Sequence, residues 1–265
     1  MNFIKLESCS NDYCIIKYQE ELNFSELAIK LCNRLTGIGA SGIIFHKENT
    51  NEVLFYNELG ESLIMSSFSI YSFAKYYSII NSKLKNKWSF MNNGKEFFVE
   101  GTNNSFKVKV SKPNFSNQSI YVGDLINSFG RILTVEGYHL TIYAFSVDNP
   151  QLVIFVDSLD SSYINIAKEI SENRLFRKGT NVHFVKKISD IEVSIKSYIN
   201  RKGFVLSSDE GAAASIVCGH KLGILDNSIK VNFEYGSIMA SINKKGDIIL
   251  EGTSNIVFEG EIKGE

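Results

Sequence analysis

Leu206 to Gly223 reads LSSDEGAAASIVCGHKLG. Two serines and two acids lead into a glycine, a run of alanines and an apolar stretch that closes on glycine. Ser and Asp are ordinary N-cap residues and Gly an ordinary C-terminal stop, so the spacing predicts a helix over Gly211–Gly223. Small polar residues at such an entrance have two readings. They cap the helix, or they build an anion site with a reactive side chain beside it, because the first N–H groups of a helix lack internal acceptors. A second stretch repeats the pattern. GESLIMSSFSIYSFAKY, Gly60 to Tyr76, also sets an apolar residue before Ser-Ser and a helical run, Phe68–Ile80.

Outward from these two points the chain shows one plan twice: strands, a helix, more strands, then Ser-Ser and a second helix. Helical spacing also appears in Ser25–Leu35 and Ser161–Asn173. Alternating or β-branched runs predict strands at Glu52–Asn57, Phe106–Val110, His139–Val147, Gln151–Asp157, Asn181–Lys187, Ile191–Ile199 and Ile229–Gly236. SKPNFSNQS, Ser111 to Ser119, holds one of two prolines and reads as the linker between the halves. A duplication of this kind supplies one helix N-terminus per half. The pair, facing each other across a domain cleft, would hold a carboxylate with a serine on each side of its α-carbon.

Composition narrows the class. With 265 residues, 44% hydrophobic and 22% charged, the chain reads as an ordinary soluble protein of one large or two modest domains. A net charge of -1 argues against nucleic acid held by bulk electrostatics. No apolar run reaches the roughly 18 residues of a membrane span, and MNFIKLESCSNDYC lacks the apolar core of a signal peptide. Cys9, Cys14, Cys32 and Cys218 lack metal spacing and read as reduced thiols of a cytoplasmic protein. The four histidines are dispersed, and no glycine-rich phosphate loop is present, so no metal, nucleotide or pyridoxal cofactor is expected. A serine hydrolase is disfavoured, because there is no G-x-S-x-G elbow.

Six segments, in order, resemble the diaminopimelate epimerase family of cofactor-independent amino-acid racemases and epimerases. SNDYCII (Ser10 to Ile16) resembles its G-N-D-F motif, and RLTGIGASGIIF (Arg34 to Phe45) its R-x-x-G-I-G-A-D-G. NELGESLIMSSFSIYSFAKY (Asn57 to Tyr76) resembles N-x-D-G-S-x followed by C-G-N-G. DNPQLVIFVD (Asp148 to Asp157) resembles G-N-P-H-x-V-x-F-V, and LFRKGTNVHFV (Leu175 to Val185) resembles L-F-x-x-x-T-N-V-x-F-V. The opening stretch resembles A-C-G-T-G-A-C-A-A. The resemblance implies an α+β fold of two pseudo-symmetric domains, 1–116 and 117–265. Each would be a curved, mainly antiparallel sheet around a central helix. It also implies a small amino-acid substrate, and it allows a homodimer.

In that family one thiolate removes the α-proton and a second thiol protonates the other face. A thiol suits this reversible task, because its reference pKa of about 8.5 lies close to neutral. Here the two cysteine positions are Ser66 and Ser208. A hydroxyl is a far weaker acid, so the expectation is little or no turnover. Either both serines are native, in a protein that binds without reacting, or both cysteines have been changed to serine, which traps substrate.

The remaining differences bear on the substrate. The family's Glu-Arg pair, which grips the distal end of diaminopimelate, is Ile199 and Asn200, so a second carboxylate loses its arginine. Phe68 replaces an asparagine and Gln151 a histidine. Asn11, Asn57, Asn149 and Asn181 remain. By resemblance the substrate contacts are these four with Ser67, Phe68, Ser69, Asn200, Asp209, Glu210 and Gly211. The pattern suits histidine: Phe68 would stack on its ring, and Asp209 or Glu210 would accept from its N–H. The plainer roles are core packing for Phe68, helix charge compensation for the two acids, turn formation for Asn57 and Asn149, and a loop glycine at 211.

Overall fold

Both Ser-Ser stretches open helices, and in each the second serine is the first helical residue or the cap itself. In the computed structural model, residues 1–81, 86–102, 105–120, 122, 128–160 and 162–263 are described. The chain runs β1 (Asn2–Ser8), β2 (Asn11–Lys17), α1 (Phe24–Cys32), β3 (Gly42–His46), β4 (Val53–Asn57), α2 (Ser67–Ile80), β5 (Lys87–Asn92), β6 (Lys95–Thr102) and β7 (Ser105–Lys109). It continues through β8 (Phe129–Val135), β9 (Tyr138–Val147), β10 (Asn149–Phe155), α3 (Ala167–Ser171), β11 (Asn181–Ser189), β12 (Glu192–Ile199), β13 (Gly203–Val205) and α4 (Asp209–Lys221). It ends with β14 (Ser228–Asn232), β15 (Ser237–Ile242), β16 (Ile248–Gly252) and β17 (Asn255–Glu261). The fold is α+β, with two sheet-rich units and few helices. Among the described residues no helix is long and apolar enough to cross a membrane.

The first unit is Met1–Lys109 with Glu251–Glu265, and the second is Val110–Leu250. The expected division at 116/117 is therefore displaced, and it misses the return of the C-terminus. β17 pairs antiparallel with β1, from Asn2 opposite Glu261 to Glu7 opposite Asn255, which ties the last strand to the first unit. The expected linker, Ser111–Ser119, lies inside the second unit, where Asn114 bridges Ser146.

Each unit repeats one topology. In the first, β1 and β2 form an antiparallel pair, α1 crosses over, β3 lies parallel to β2, β4 returns antiparallel, and α2 follows. In the second, β9 and β10 form the antiparallel pair, α3 crosses over, β11 lies parallel to β10, β12 returns, and α4 follows after the short β13. After α2 come β5, β6 and β7; after α4 come β14, β15 and β16. β2 with β3, β10 with β11 and β12 with β14 run parallel, and most of the other strand pairs among the described residues run antiparallel.

The helices after the crossovers are central. Nine consecutive residues of α4, Gly211–Gly219, are buried, as are Ser67–Ala74 of α2. A helix buried all round has sheet on every side of it. α2 packs on β1, β2 and β7, and α4 on β9, β10, β11, β12, β14 and β15. Small side chains permit this in α4. A Cβ at Gly211 would stand 2.7 Å from His183 Nδ1 and 2.8 Å from Ser197 Oγ. Gly223, in the left-handed region at φ 69°, ends α4 as the closing glycine predicts. The stretch Ser161–Asn173 departs from expectation: only Ala167–Ser171 is α-helical, after a 3₁₀ turn over Ser162–Ile166, and Ile166 offers no side-chain cap. Ser161 lies outside the described residues.

Candidate active site

In the first unit Ser66 is the N-cap of α2. Its backbone is extended, at φ −75° and ψ 165°, and its Oγ accepts from Ser69 N at 3.3 Å. The Tyr13 hydroxyl lies 3.4 Å from the same oxygen. Ser69 Oγ donates back to Ser66 O at 2.8 Å. In the second unit Ser208 caps α4 in the same way, with its Oγ accepting from Gly211 N at 3.0 Å. Both hydroxyls thus satisfy a backbone N–H that a helix leaves without an internal acceptor.

Around Ser208 the second unit gathers amides. Side chains two apart on a strand share a face. Asn149 and Gln151 are the first and third residues of β10; Asn181 and His183 hold the same places on β11, with Gln151 opposite Asn181. Asn149 Nδ2 donates to Glu210 Oε1 at 2.7 Å, while Asn181 Nδ2 and Gln151 Nε2 donate to Oε2 at 2.7 and 3.2 Å. Two of the donors, Asn181 and Gln151, are oriented from behind. Asn181 Oδ1 accepts from Asn200 N at 3.0 Å. Gln151 Nε2 also reaches Val147 O, so its Oε1 faces His183 Nε2 at 2.8 Å. That oxygen only accepts, so His183 carries its proton on Nε2. Its Nδ1 then accepts from Ser197 Oγ, 2.9 Å away. Burial pushes the imidazole down to about 3, so the ring is neutral.

Glu210 itself is pushed up to about 7. Burial is the main cause and the Asp209 charge adds to it, against the amides of Asn149 and Gln151, which favour the ionised form. Its carboxyl lines a cavity of about 440 Å³ with Asn149, Pro150, Lys178, Gly179, Thr180, Asn181, Ile199 and Asn200. Asp209 Oδ1 accepts from Glu210 N at 3.0 Å, a second side-chain cap on α4.

Asn149, Asn181, Asn200 and Glu210 therefore come together, with Ile199 as the apolar wall. Gly211 supplies the close approach at the helix start. The two expected asparagines of the first unit bond locally. Asn57 Oδ1 accepts from Leu59 N and Glu61 N at 3.0 and 2.8 Å and holds a turn; Asn11 Nδ2 donates to Cys9 O at 3.1 Å across the tight β1–β2 turn. The expectation for Phe68 is corrected. The ring is 2% exposed, inside the packing around α2, and presents no face for a ligand to stack on. Ser67 and Ser69 are buried beside it.

Gln151 as a glutamate partner, and His183, Ser197 and Tyr13, lie outside the sequence expectations. A signal existed for the first two: polar residues two apart in otherwise apolar, buried strands. No remaining thiol in the buried set is suited to proton transfer. Burial pushes Cys14 and Cys32 up to about 12 and Cys218 higher still. Among the described residues no group of three His, Cys, Asp or Glu side chains is placed to hold a metal ion.

No family model matches the chain. A diaminopimelate epimerase from Caldanaerobacter subterraneus subsp. tengcongensis is 30% identical over 273 residues, covering 99% of this chain and 100% of the relative. One from Methanocaldococcus jannaschii is 28% identical over 294 residues, with 99% and 98% covered. Among solved structures, a PhzF-family phenazine biosynthesis protein from Bacillus anthracis superposes with a TM-score of 0.68 at 12% identity, covering 99% of each chain. A hydroxyproline epimerase from Agrobacterium vitis gives 0.64 at 8% identity, covering 98% of this chain and 91% of that one. These two share the fold. The end-to-end match to the curated relative goes further: the chain belongs to the diaminopimelate epimerase family, a family of epimerase- and racemase-type isomerases.

Proposed function

We propose that this chain is an amino-acid racemase or epimerase scaffold that works without a cofactor, with Ser66 and Ser208 at its two proton-transfer positions and histidine as its substrate. The observation that carries the reading is the repeated cap. Each unit sets one serine hydroxyl at the N-terminus of its central helix, within 3.3 Å of a backbone N–H three residues on. Two-base chemistry takes one acid and one base, and a helix N-terminus favours the anion that forms when a group there gives up its proton. A thiol would ionise there near neutral pH; a hydroxyl would not. With serine at both positions the chain binds and does not turn over.

Histidine fits the lining of the second-unit cavity. Ile199 gives an apolar wall, Glu210 an acceptor for a ring N–H, and no arginine lines the cavity to pair with a distal carboxylate.

The test is Ser66→Cys combined with Ser208→Cys. The expected result is exchange of the histidine α-proton with solvent deuterium, together with racemisation, and less of both from either single change. Ser67→Cys with Ser207→Cys is the matched control. Equal activity in control and test pairs would show the register to be wrong. A second reading, a non-catalytic amino-acid-binding protein, is favoured by the engagement of both hydroxyls as caps. Histidine binding with no exchange from the test pair would select it.

A further inference from the structure

Two of the amides that the family resemblance gives to the substrate, Asn149 and Asn181, are already engaged with Gln151 beside them, and the group that engages them belongs to the chain. Asn149, Gln151 and Asn181 all turn their NH2 groups toward Glu210, at 2.7, 3.2 and 2.7 Å. Two of the three cannot readily turn elsewhere. Asn181 is held from behind by Asn200 N, and Gln151 by His183, which is itself 0% exposed and bonded to Ser197. We infer that Glu210 sets the substrate class: its carboxylate fills the amide floor of the 440 Å³ cavity as a built-in anion, so the side chain that enters presents N–H groups, an imidazole or an ammonium, and not a carboxylate.

This deepens the amino-acid reading above and rests on it. A carboxylate accepts about four hydrogen bonds, and three donors leave room for a further N–H from a ligand. A second carboxylate in the same cavity would meet Glu210 with Asp209 behind it. The amide N–H groups that Glu210 holds would not be open to it, and like charges so close disfavour one another. The lining cation, Lys178, is exposed. Its hydrated ammonium gives a weaker grip than a planar, bidentate partner would.

The experiment is calorimetric titration of the intact chain at pH 8.5, where Glu210 is ionised, with L-histidine, L-lysine, meso-diaminopimelate and L-glutamate, repeated with Glu210→Gln. The unchanged chain is expected to bind histidine or lysine at least tenfold more tightly than either diacid. Glu210→Gln is expected to weaken the histidine or lysine complex about tenfold or more, the usual effect of losing a hydrogen bond to a charged partner, and to narrow the gap to the diacids. Thermal unfolding establishes that the variant is folded. If it is not, Glu210→Asp, which withdraws the carboxylate by one methylene, is expected to move binding in the same direction. Unaltered affinities and ranking in a folded variant would overturn the role of Glu210 and leave the amino-acid reading standing. Tighter binding of the diacids by the unchanged chain would also overturn it. Failure of the unchanged chain to bind any of the four would overturn the amino-acid reading itself, and this inference with it.

Discussion

Gly211→Ala is the sharpest test of the packing around the α4 entrance, because the ordinary expectation has the opposite sign. In an exposed helix interior, alanine is more favourable than glycine by about 1 kcal/mol. Here the new methyl would lie 2.7 Å from His183 Nδ1, 2.8 Å from Ser197 Oγ and 3.0 Å from Ile195 Cδ1. These atoms belong to buried side chains on β11 and β12. Overpacking of this kind costs about 1–3 kcal/mol. Pushing His183 from Ser197 breaks a bond between two buried polar groups, which costs about 1–3 kcal/mol more. Set against the helix-propensity gain, the net is a loss of about 3 kcal/mol. For a unit of this size that is a drop of roughly 6–12 °C in the midpoint of its unfolding transition. Differential scanning calorimetry or urea unfolding would measure it. A midpoint equal to or above that of the unchanged chain would refute the close approach and the buried His183–Ser197 pair with it.

Two further outcomes are expected. Burial alone would push Asp12 up, but hydrogen bonds from Arg34, Lys5 and Ser41 outweigh it and hold the carboxyl at about 2, below its ordinary 3.8. A depressed carboxyl contributes its stability above the unfolded value and loses it as pH falls through the folded one. Asp12→Asn should therefore cost about 2 kcal/mol at pH 7, and the cost should fade below about pH 4; a difference that does not vary with pH would contradict the cluster. Of the four thiols, only Cys9 should react promptly with a disulfide reagent in the native state, because Cys14, Cys32 and Cys218 are buried; rapid modification of a second thiol would contradict the core placement.

The strands legible from alternation were those with one buried face, whereas β10 and β11, buried over four and five residues in a row, were legible from their β-branched composition. The alternation in β9 and β12 marks them as strands because one side meets solvent. β3 is buried at all five positions and β2 at four in a row, so neither has a period to read. β17 has the opposite problem: it is exposed nearly throughout, and what specifies it is its pairing with β1, some 250 residues away in sequence. The capping serines were legible because a cap is a local event. Phe68 carries two readings in the sequence, stacking on a ligand and core packing, for a related reason. A ring at the second position of a helix looks available when the helix has a solvent face, and periodicity over one stretch does not reveal that α2 is enclosed on all sides. Glu210 reads from the sequence as a ligand acceptor or a helix-dipole residue, and neither reading contains the amide cluster. Its amide partners lie 61, 59 and 29 residues away, and only the folded β10–β11 pair brings them to it.

The return of β17 to β1 has a consequence for the order in which the protein can form. The second unit is one continuous segment, Val110–Leu250, and every strand it needs has been synthesised before β17 is made. The first unit begins the chain and yet waits for its end. The backbone edge of β1 that β17 will cover is synthesised first, and at about 5–20 residues per second it stays uncovered for tens of seconds. Residues Asn2–Ser8 carry Lys5 and Glu7 along that edge, and such charges discourage pairing with a stranger. The closing register brings Met1 N to Ile262 O at 2.7 Å, a contact across 261 positions that forms only after β17 has been made.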